Sequence, residues 1–234
     1  MKKRVCFATG CFYLWSDDQN EQINLTKGFD LDGVELTFAY VKEVKNFSLS
    51  GENEAYLKSL EWNSIHAPFK YTFGKNKESE RILERFQDLY KKVNAKNFVV
   101  HPDRIEDFSQ VLGKGMDVST ENLVGYEIGE LEKILDKHPD LGLVLDVTHS
   151  AANSPTQVRE IYELFHDRIT EIHCSSYLYG KRHQFLHKAD KRFLNEIRVI
   201  KSLDVPLVIE LNLSKDVTKN LIKKEVAFLR DWYK

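Results

Sequence analysis

Six short apolar segments of this 234-residue chain each end in a side chain that commonly binds metal ions. The end residues are His66, His101, Glu121, Asp146, His173 and Glu210. Imidazoles and carboxylates without a thiolate suit hard or borderline divalent cations such as Mn, Mg, Co, Zn or Fe(II). One such residue after a buried strand is unremarkable, but six in succession predict a metal centre.

Two further histidines follow these segments closely. His149 comes after Asp146 at Asp-x-x-His spacing, and His183 follows Arg182 in a basic stretch. Eight candidate ligands are enough for one to three divalent ions per chain. An alternative for His66 and His101 remains open, because they could contact substrate oxygens or support other ligands through hydrogen bonds.

The order of the segments indicates the elements that position these side chains. Eight strand-like runs are predicted at 4–9, 33–37, 64–66, 98–101, 118–121, 143–146, 169–173 and 207–210. Amphipathic segments between them predict helices at 78–94, 127–137, 155–165, 191–203 and 215–232, the third with Ser154 as its N-cap and Pro155 in its first turn.

Strands that alternate with helices call for a parallel sheet covered by helices. Ligands at the ends of six strands favour a closed (β/α)8 TIM barrel, because an open doubly wound sheet concentrates its site at one switch point. Without a linker, a low-complexity tract or a nucleotide-binding glycine motif, residues 1–234 are predicted to form one barrel domain.

Composition narrows the partners and the compartment. The chain has 34 Lys and Arg against 36 Asp and Glu. The resulting net charge of −2 argues against a protein that is basic over its whole surface and coats nucleic acid. An odd count of three cysteines without a CxxC pair favours a reducing, cytoplasmic location. The basic start at 1–4 and the apolar run after it predict a first strand rather than a signal peptide, and no run reaches the ~18 apolar residues that span a membrane.

Motifs at successive strand ends resemble the xylose-isomerase-like TIM-barrel superfamily and, within it, the endonuclease IV group (AP endonuclease family 2). The matching stretches are Ser64-Ile65-His66-Ala67-Pro68-Phe69, Val100-His101-Pro102, Thr120-Glu121-Asn122, Leu145-Asp146-Val147-Thr148-His149, Ile172-His173, Arg182-His183 and Ile209-Glu210. The resemblance covers almost the whole chain.

This resemblance implies a distribution of the ligands over three ions. The ion shared across the superfamily would be held by Glu121, Asp146, His173 and Glu210. A second ion would be held by His66, His101 and Glu121, and a third by His149 and His183.

The chain also departs from the endonuclease group at three motifs. Lys181 stands where the group has the Asp of Asp-Arg-His, and residues 123–125 read Leu-Val-Gly instead of Gly-Gln-Gly. Thr72 replaces an Asn of the DNA-binding loop. These differences put the third ion and the DNA activity in doubt, but not the fold or the shared ion.

Two chemistries fit the predicted site, and the sequence ranks the first of them higher. The first is a sugar or sugar-phosphate isomerase or epimerase, in which Glu121 and Glu210 would form the acid/base pair around a metal-stabilised enediolate. The second is a phosphodiester hydrolase that acts at abasic sites in DNA with two or three zinc ions. A barrel that binds a ligand without turnover is a third, less favoured class.

Loop residues suggest the substrate class. Basic residues follow predicted strands three, four and seven at Lys70, Lys75, Lys77, Arg104, Lys181, Arg182 and Lys188. They form a patch rather than the long track that duplex DNA requires, which favours a small anionic carbohydrate and leaves DNA as the alternative. Tyr13 and Trp15, in the aromatic loop after strand one, are expected to cover a sugar or a base, or simply to pack on the barrel rim.

Overall fold

The apolar runs form eight parallel strands that close into a barrel, which confirms the predicted (β/α)8 fold. The computed structural model describes residues 3–234. Met1 and Lys2, the first two residues of the basic segment at 1–4, therefore lie outside the described residues. The barrel strands are β1 (Val5–Ala8), β2 (Gly33–Thr37), β3 (Trp62–His66), β4 (Asn97–Val100), β5 (Val118–Glu121), β6 (Gly142–Asp146), β7 (Ile169–Cys174) and β10 (Leu207–Ile209). Strand β10 pairs with both β7 and β1, and this pairing closes the sheet.

Helices cover the outside of the barrel. They are α1 (Gln19–Thr26), α2 (Val41–Asn46), α3 (Gly51–Ser59), α4 (Lys77–Lys92), α5 (Ile128–Lys137), α6 (Val147–Asn153), α7 (Gln157–Phe165), α8 (Lys191–Glu196) and α9 (Lys219–Trp232). Helix α4 shows why these segments fold so: Asn76 caps its first turn, and Ile82, Leu83 and Phe86 bury one face against the core.

Three details differ from the sequence-based prediction. Ser154 does not cap a helix that begins at Pro155, because it ends the unpredicted helix α6, and α7 begins at Gln157. The segment 191–203 is a short α-helix followed by a 3-10 helix at Ile197–Ser202. A hairpin of β8 (Ser176–Leu178) and β9 (Lys181–Gln184) follows β7 outside the barrel, and Tyr179 and Gly180 turn it with positive φ.

The core has two parts. Aliphatic and aromatic side chains fill the layer between the strands and the helices. Inside the barrel the filling is polar: Ser64 on β3 and Asn97 on β4 donate hydrogen bonds across the barrel to Glu171 on β7. TIM barrels are usually filled with branched aliphatic side chains, so this interior is unusual and bears on the site above it. Among the described residues, no helix is both long and apolar enough to cross a membrane.

Candidate metal centre

All eight predicted ligands meet at the carboxyl ends of the barrel strands or in the loops directly after them. They form three overlapping groups, each with candidate ligand atoms within 4.8 Å of one another. The groups are His66, His101 and Glu121; Asp146, His149 and His183; and Glu121, Asp146, His173 and Glu210. Parallel strands end at one edge of the barrel, and that common edge brings together residues far apart in sequence.

Glu121 lies at the centre of this arrangement and divides its two oxygens between two sets of histidines. Its Oε2 lies 3.2 Å from His66 Nε2 and 3.1 Å from His101 Nε2. Its Oε1 lies 3.3 Å from the Nδ1 atoms of both His149 and His173. A carboxylate placed in this way can bridge two adjacent cations, with one oxygen for each.

The orientation of His66 follows from the end of β3. Its Nδ1 donates to the carbonyl oxygen of the next residue, Ala67, at 2.9 Å. This bond turns Nε2 towards Glu121. A backbone acceptor on one ring nitrogen is the usual way in which a protein orients the other nitrogen for a metal ion.

Asp146 and His149 are positioned by the start of helix α6. Asp146 is the N-cap, and its Oδ1 accepts from His149 N at 2.5 Å and from Thr148 Oγ1 at 2.9 Å. Asn122 joins the ends of β5 and β6, because its side chain accepts from Asp146 N and donates to the Asp146 carbonyl. The short helix therefore holds His149 directly behind Asp146, while the second oxygen of Asp146 stays available.

The hairpin after β7 brings His183 to the centre. His183 adopts a φ of 56°, its carbonyl accepts from Asn212 N at 2.9 Å, and its Nδ1 lies 3.7 Å from Glu210 Oε2. Behind the hairpin, the buried Glu225 of α9 accepts from His187 Nδ1 at 2.5 Å. His187 thus forms part of an anchor for the hairpin and lies outside the three ligand groups.

Sequence reasoning missed two buried acids beneath the ligands. Glu35 on β2 and Glu171 on β7 are fully buried and, with His173, form a fourth close group. A signal existed, because each Glu stands in the middle of a predicted strand, at 33–37 and 169–173. A charged residue in such a strand is almost never left without a partner.

The carboxylates favour the protonated forms of His66, His149 and His173, because they raise the pKa of each of these three side chains. Burial on its own lowers a histidine pKa, but Glu121 and Glu35 outweigh burial and raise the pKa of His66 to about 9. In the same way Asp146 and Glu121 raise the pKa of His149 to about 10. Burial raises the pKa of Glu121, yet the surrounding histidines hold that pKa well below its usual range. Metal binding at these side chains must therefore release protons.

Unsatisfied polar atoms show that the donor set fits metal ions. Asp146 Oδ2, His183 Nδ1 and Glu210 Oε2 are buried and have no hydrogen-bond partner. Buried polar atoms without a partner are costly, so each needs an explanation. All three atoms belong to the predicted ligands and face the cluster, which is the arrangement that divalent cations would satisfy.

The predicted substrate-binding residues lie in different settings. Tyr13 is 57 % exposed, and Lys181 and Arg182 are exposed on the hairpin. Trp15 packs edge-on against Phe12 and donates its Nε1 hydrogen to the Ser214 carbonyl at 3.2 Å.

Two of the predicted basic residues carry a local counter-ion. Arg104 pairs with Asp103 at 3.2 Å, and Lys75 pairs with Asp107 at 3.2 Å. These pairs reduce the positive charge that the loops after β3 and β4 present. The role of each residue in binding a substrate stays a prediction.

Comparison with solved structures finds the same fold in several enzymes. A probable 3-DHS dehydratase, AsbF, from Bacillus anthracis is 14 % identical with a TM-score of 0.69, over 97 % of this chain and 98 % of that one. A D-tagatose 3-epimerase-like protein is 15 % identical with a TM-score of 0.67, also over 97 % and 98 %. Endonuclease IV from Thermus thermophilus is 15 % identical with a TM-score of 0.63, over 98 % of both chains.

These similarities show that the chain shares the (β/α)8 barrel fold of these proteins, as the predicted resemblance implies. No protein-family model and no curated protein sequence matches the chain. The neighbours include an epimerase-like protein, a dehydratase and a nuclease at similar identity, so the likeness does not choose between their reactions. That choice depends on the side chains of this molecule.

Proposed function

We propose that the chain is a divalent-metal-dependent hydrolase that cleaves a phosphate ester with a centre of two or three ions. The observation that carries this proposal is the position of Glu121, whose two oxygens face two different sets of histidines. A mononuclear enzyme needs only the group around His173. In such an enzyme His66 and His101 would only support Glu121 through hydrogen bonds, whereas a second ion would use them as direct ligands.

We therefore place the hydrolase ahead of the isomerase or epimerase, whereas the sequence alone favours the reverse order. From the sequence, His66 and His101 could bind a second ion, support other ligands through hydrogen bonds or contact substrate oxygens. Their Nε2 atoms instead lie 3.2 and 3.1 Å from Glu121 Oε2, at the positions of ligands that share a bridging carboxylate.

The proposed roles are as follows. When bound, the ions would activate a water molecule and neutralise the charge that develops on the ester's leaving oxygen. Glu121 and Asp146 would be among the ligands of these ions, Asp146 through its free Oδ2. Lys181 and Arg182 have no ion pair in the described part of the chain, and they directly precede His183, where they would bind the phosphate.

The exposed rim supports a substrate with a ring next to its phosphate. Tyr13, Tyr40 and Tyr179 are 57 %, 47 % and 99 % exposed, and they lie in the loops after β1 and β2 and in the hairpin after β7. Exposed aromatic rings at a binding mouth stack on sugars and bases. A phosphorylated sugar and an abasic position in DNA both present a sugar and a phosphate, so both belong among the first substrates to test.

The test uses the whole chain loaded in turn with zinc, manganese and cobalt. Hydrolysis of bis(p-nitrophenyl) phosphate and cleavage of a duplex with one abasic site are measured for wild type, His101→Gln and His138→Gln. His138 is the matched control, because it packs on Phe108 away from the ligand groups. We expect His101→Gln to lose one ion per chain and to hydrolyse at least about 100-fold more slowly than wild type. His138→Gln should keep the ion content and the hydrolysis rate of wild type.

A second candidate, sugar epimerisation, is favoured by one feature of the same site. Glu121 Oε1 and Glu210 Oε2 lie 3.3 and 3.5 Å from His173 Nδ1, so two carboxylates flank one ligand position, as an acid/base pair requires. Uptake of deuterium from D2O into a ketose, followed by proton NMR, tests this activity. Deuterium uptake without hydrolysis of either phosphodiester would replace the proposed hydrolase with an epimerase.

A further inference from the structure

The two ring nitrogens of His173 face different surroundings. Nδ1 points to the ligand groups, 3.3 Å from Glu121 Oε1 and 3.5 Å from Glu210 Oε2. Nε2 points down into the barrel, 3.1 Å from Glu35 Oε2 and 3.6 Å from Glu171 Oε1. The imidazole and both lower carboxylates are fully buried, so water does not compete for these contacts.

The lower group could be read as a fourth cation site, but its atoms are already satisfied. Glu171 accepts from Ser64 Oγ at 2.9 Å, from Trp62 Nε1 at 3.1 Å and from Asn97 Nδ2 at 3.3 Å. None of the carboxylate oxygens of Glu35 and Glu171 is without a hydrogen-bond partner, in contrast to the unsatisfied atoms at the ligand end. The lower group is therefore a hydrogen-bond network.

Glu35 occupies a specific place in this network. It is the nearest acceptor to His173 Nε2, and its other oxygen is fixed by Thr37 Oγ1 at 3.3 Å. Glu171, 0.5 Å farther from the same nitrogen, is held mainly by donors from β3 and β4. Only the Glu35 contact is short enough to bind the Nε2 hydrogen of His173 well.

We infer that Glu35 is the positioning residue that holds His173 in the tautomer that binds metal through Nδ1. A neutral imidazole carries one hydrogen, so a hydrogen donated from Nε2 to Glu35 leaves the Nδ1 lone pair free for the ion. A carboxylate that accepts this hydrogen also makes the lone pair a stronger donor. Outer partners of this kind typically change metal affinity about 10- to 100-fold.

The inference rests on the proposed metal centre and assigns a role to a residue outside it. It is tested with full-length wild type, Glu35→Gln, Glu35→Asp and Glu171→Gln. Glu35→Gln keeps the volume and removes the charge, whereas Glu35→Asp keeps the charge and withdraws the acceptor. Glu171→Gln is the matched control, because it removes the charge of an equally buried acid that touches the same ring less closely.

Zinc affinity is measured by competition with a chelating dye, and the histidine ring nitrogens are followed by 15N NMR of the zinc-loaded proteins. We expect Glu35→Gln and Glu35→Asp to bind the tightest zinc about 10- to 100-fold more weakly and to shift the His173 ring signals. Glu171→Gln should stay within about threefold of wild type and keep the His173 pattern. Should Glu35→Gln fail to fold, as judged by circular dichroism, Glu35→Asp carries the test.

The outcomes separate the inference from the proposed function. Wild-type protein that binds no zinc overturns the metal centre itself. Wild-type protein that binds zinc, with unchanged affinity and unchanged ring signals in both Glu35 variants, overturns the positioning role and leaves the centre intact. Equal losses in the Glu35 variants and in Glu171→Gln would assign the effect to the whole network rather than to Glu35, and would also overturn the inference.

Discussion

Replacement of Glu121 by Gln separates the metal centre from the rest of the buried polar structure. The substitution keeps the volume of the side chain and removes its negative charge. It also places an NH2 group where one carboxylate oxygen faced two histidines, at distances between 3.1 and 3.3 Å. Because the two oxygens serve two ligand groups, both groups should be damaged by this single change.

The size of the effect follows from the role of Glu121 as a direct ligand. Loss of a ligand should weaken zinc binding at least as much as loss of an outer partner, so we expect a fall of about 100-fold or more, which corresponds to about 2.8 kcal/mol. Removal of one partner from a buried, charge-assisted cluster costs about 3 kcal/mol of folding free energy. For a chain of this length that is a Tm lower by about 6–12 °C.

The matched control is Glu225→Gln. Glu225 is as buried as Glu121 and binds a histidine and two backbone N–H groups, at His187 and Leu186, but it lies behind the hairpin. The Glu225→Gln variant should lower Tm by a similar amount and leave unchanged the zinc affinity of the two groups that contain Glu121, because His183, the predicted ligand on that hairpin, belongs to neither group. The metal content is read by elemental analysis, the affinity by chelator competition and Tm by thermal unfolding. Wild-type stoichiometry and affinity in Glu121→Gln would refute the reasoning, whatever happens to Tm.

Three further predictions concern the stability and the mouth of the barrel. The first concerns pH and is measured with a chelator present. The raised pKa values of His66 and His149 stabilise the fold fully below about pH 6.5, and this contribution is lost as pH rises through about 9 to 10. Urea unfolding should therefore show that the free energy of unfolding falls by ~2–4 kcal/mol between about pH 6.5 and pH 10. A flat profile would contradict the pairing. Gly33→Ala should cost at least about 3 kcal/mol in the same assay, because a Cβ at Gly33 would lie 2.0 Å from the Trp62 carbonyl oxygen; unchanged stability would contradict the close strand approach. Arg182→Ala should raise KM for a phosphate ester about tenfold without changing metal content, and an unchanged KM would remove Arg182 from the binding site.

The sequence predicts the barrel and the grouping of the eight candidate ligands well because both depend on local patterns. A buried strand followed by His101 or Glu121 can be read from neighbouring residues, and the common edge of a parallel barrel then brings such residues together. Lengths of strands agree to within a few residues for the same reason.

The hairpin and the lower network could not be predicted from such patterns. The segment that carries His183 has no apolar alternation, and its turn depends on positive φ at Tyr179 and Gly180. The partnership of Glu35 with His173 joins β2 to β7 across the barrel, a contact that spans 138 positions and leaves no periodic signal. The division of the Glu121 oxygens also required side-chain geometry, and this division changed the order of the two candidate reactions.

The most direct test of the account is the number of ions that the wild-type chain retains. Purified protein is stripped with chelator, loaded in turn with zinc, manganese and cobalt, desalted, and analysed for metal and protein content. We expect two or three ions per chain with at least one of these metals. One ion per chain with every metal, or none, would contradict the claim that Glu121 joins two metal positions.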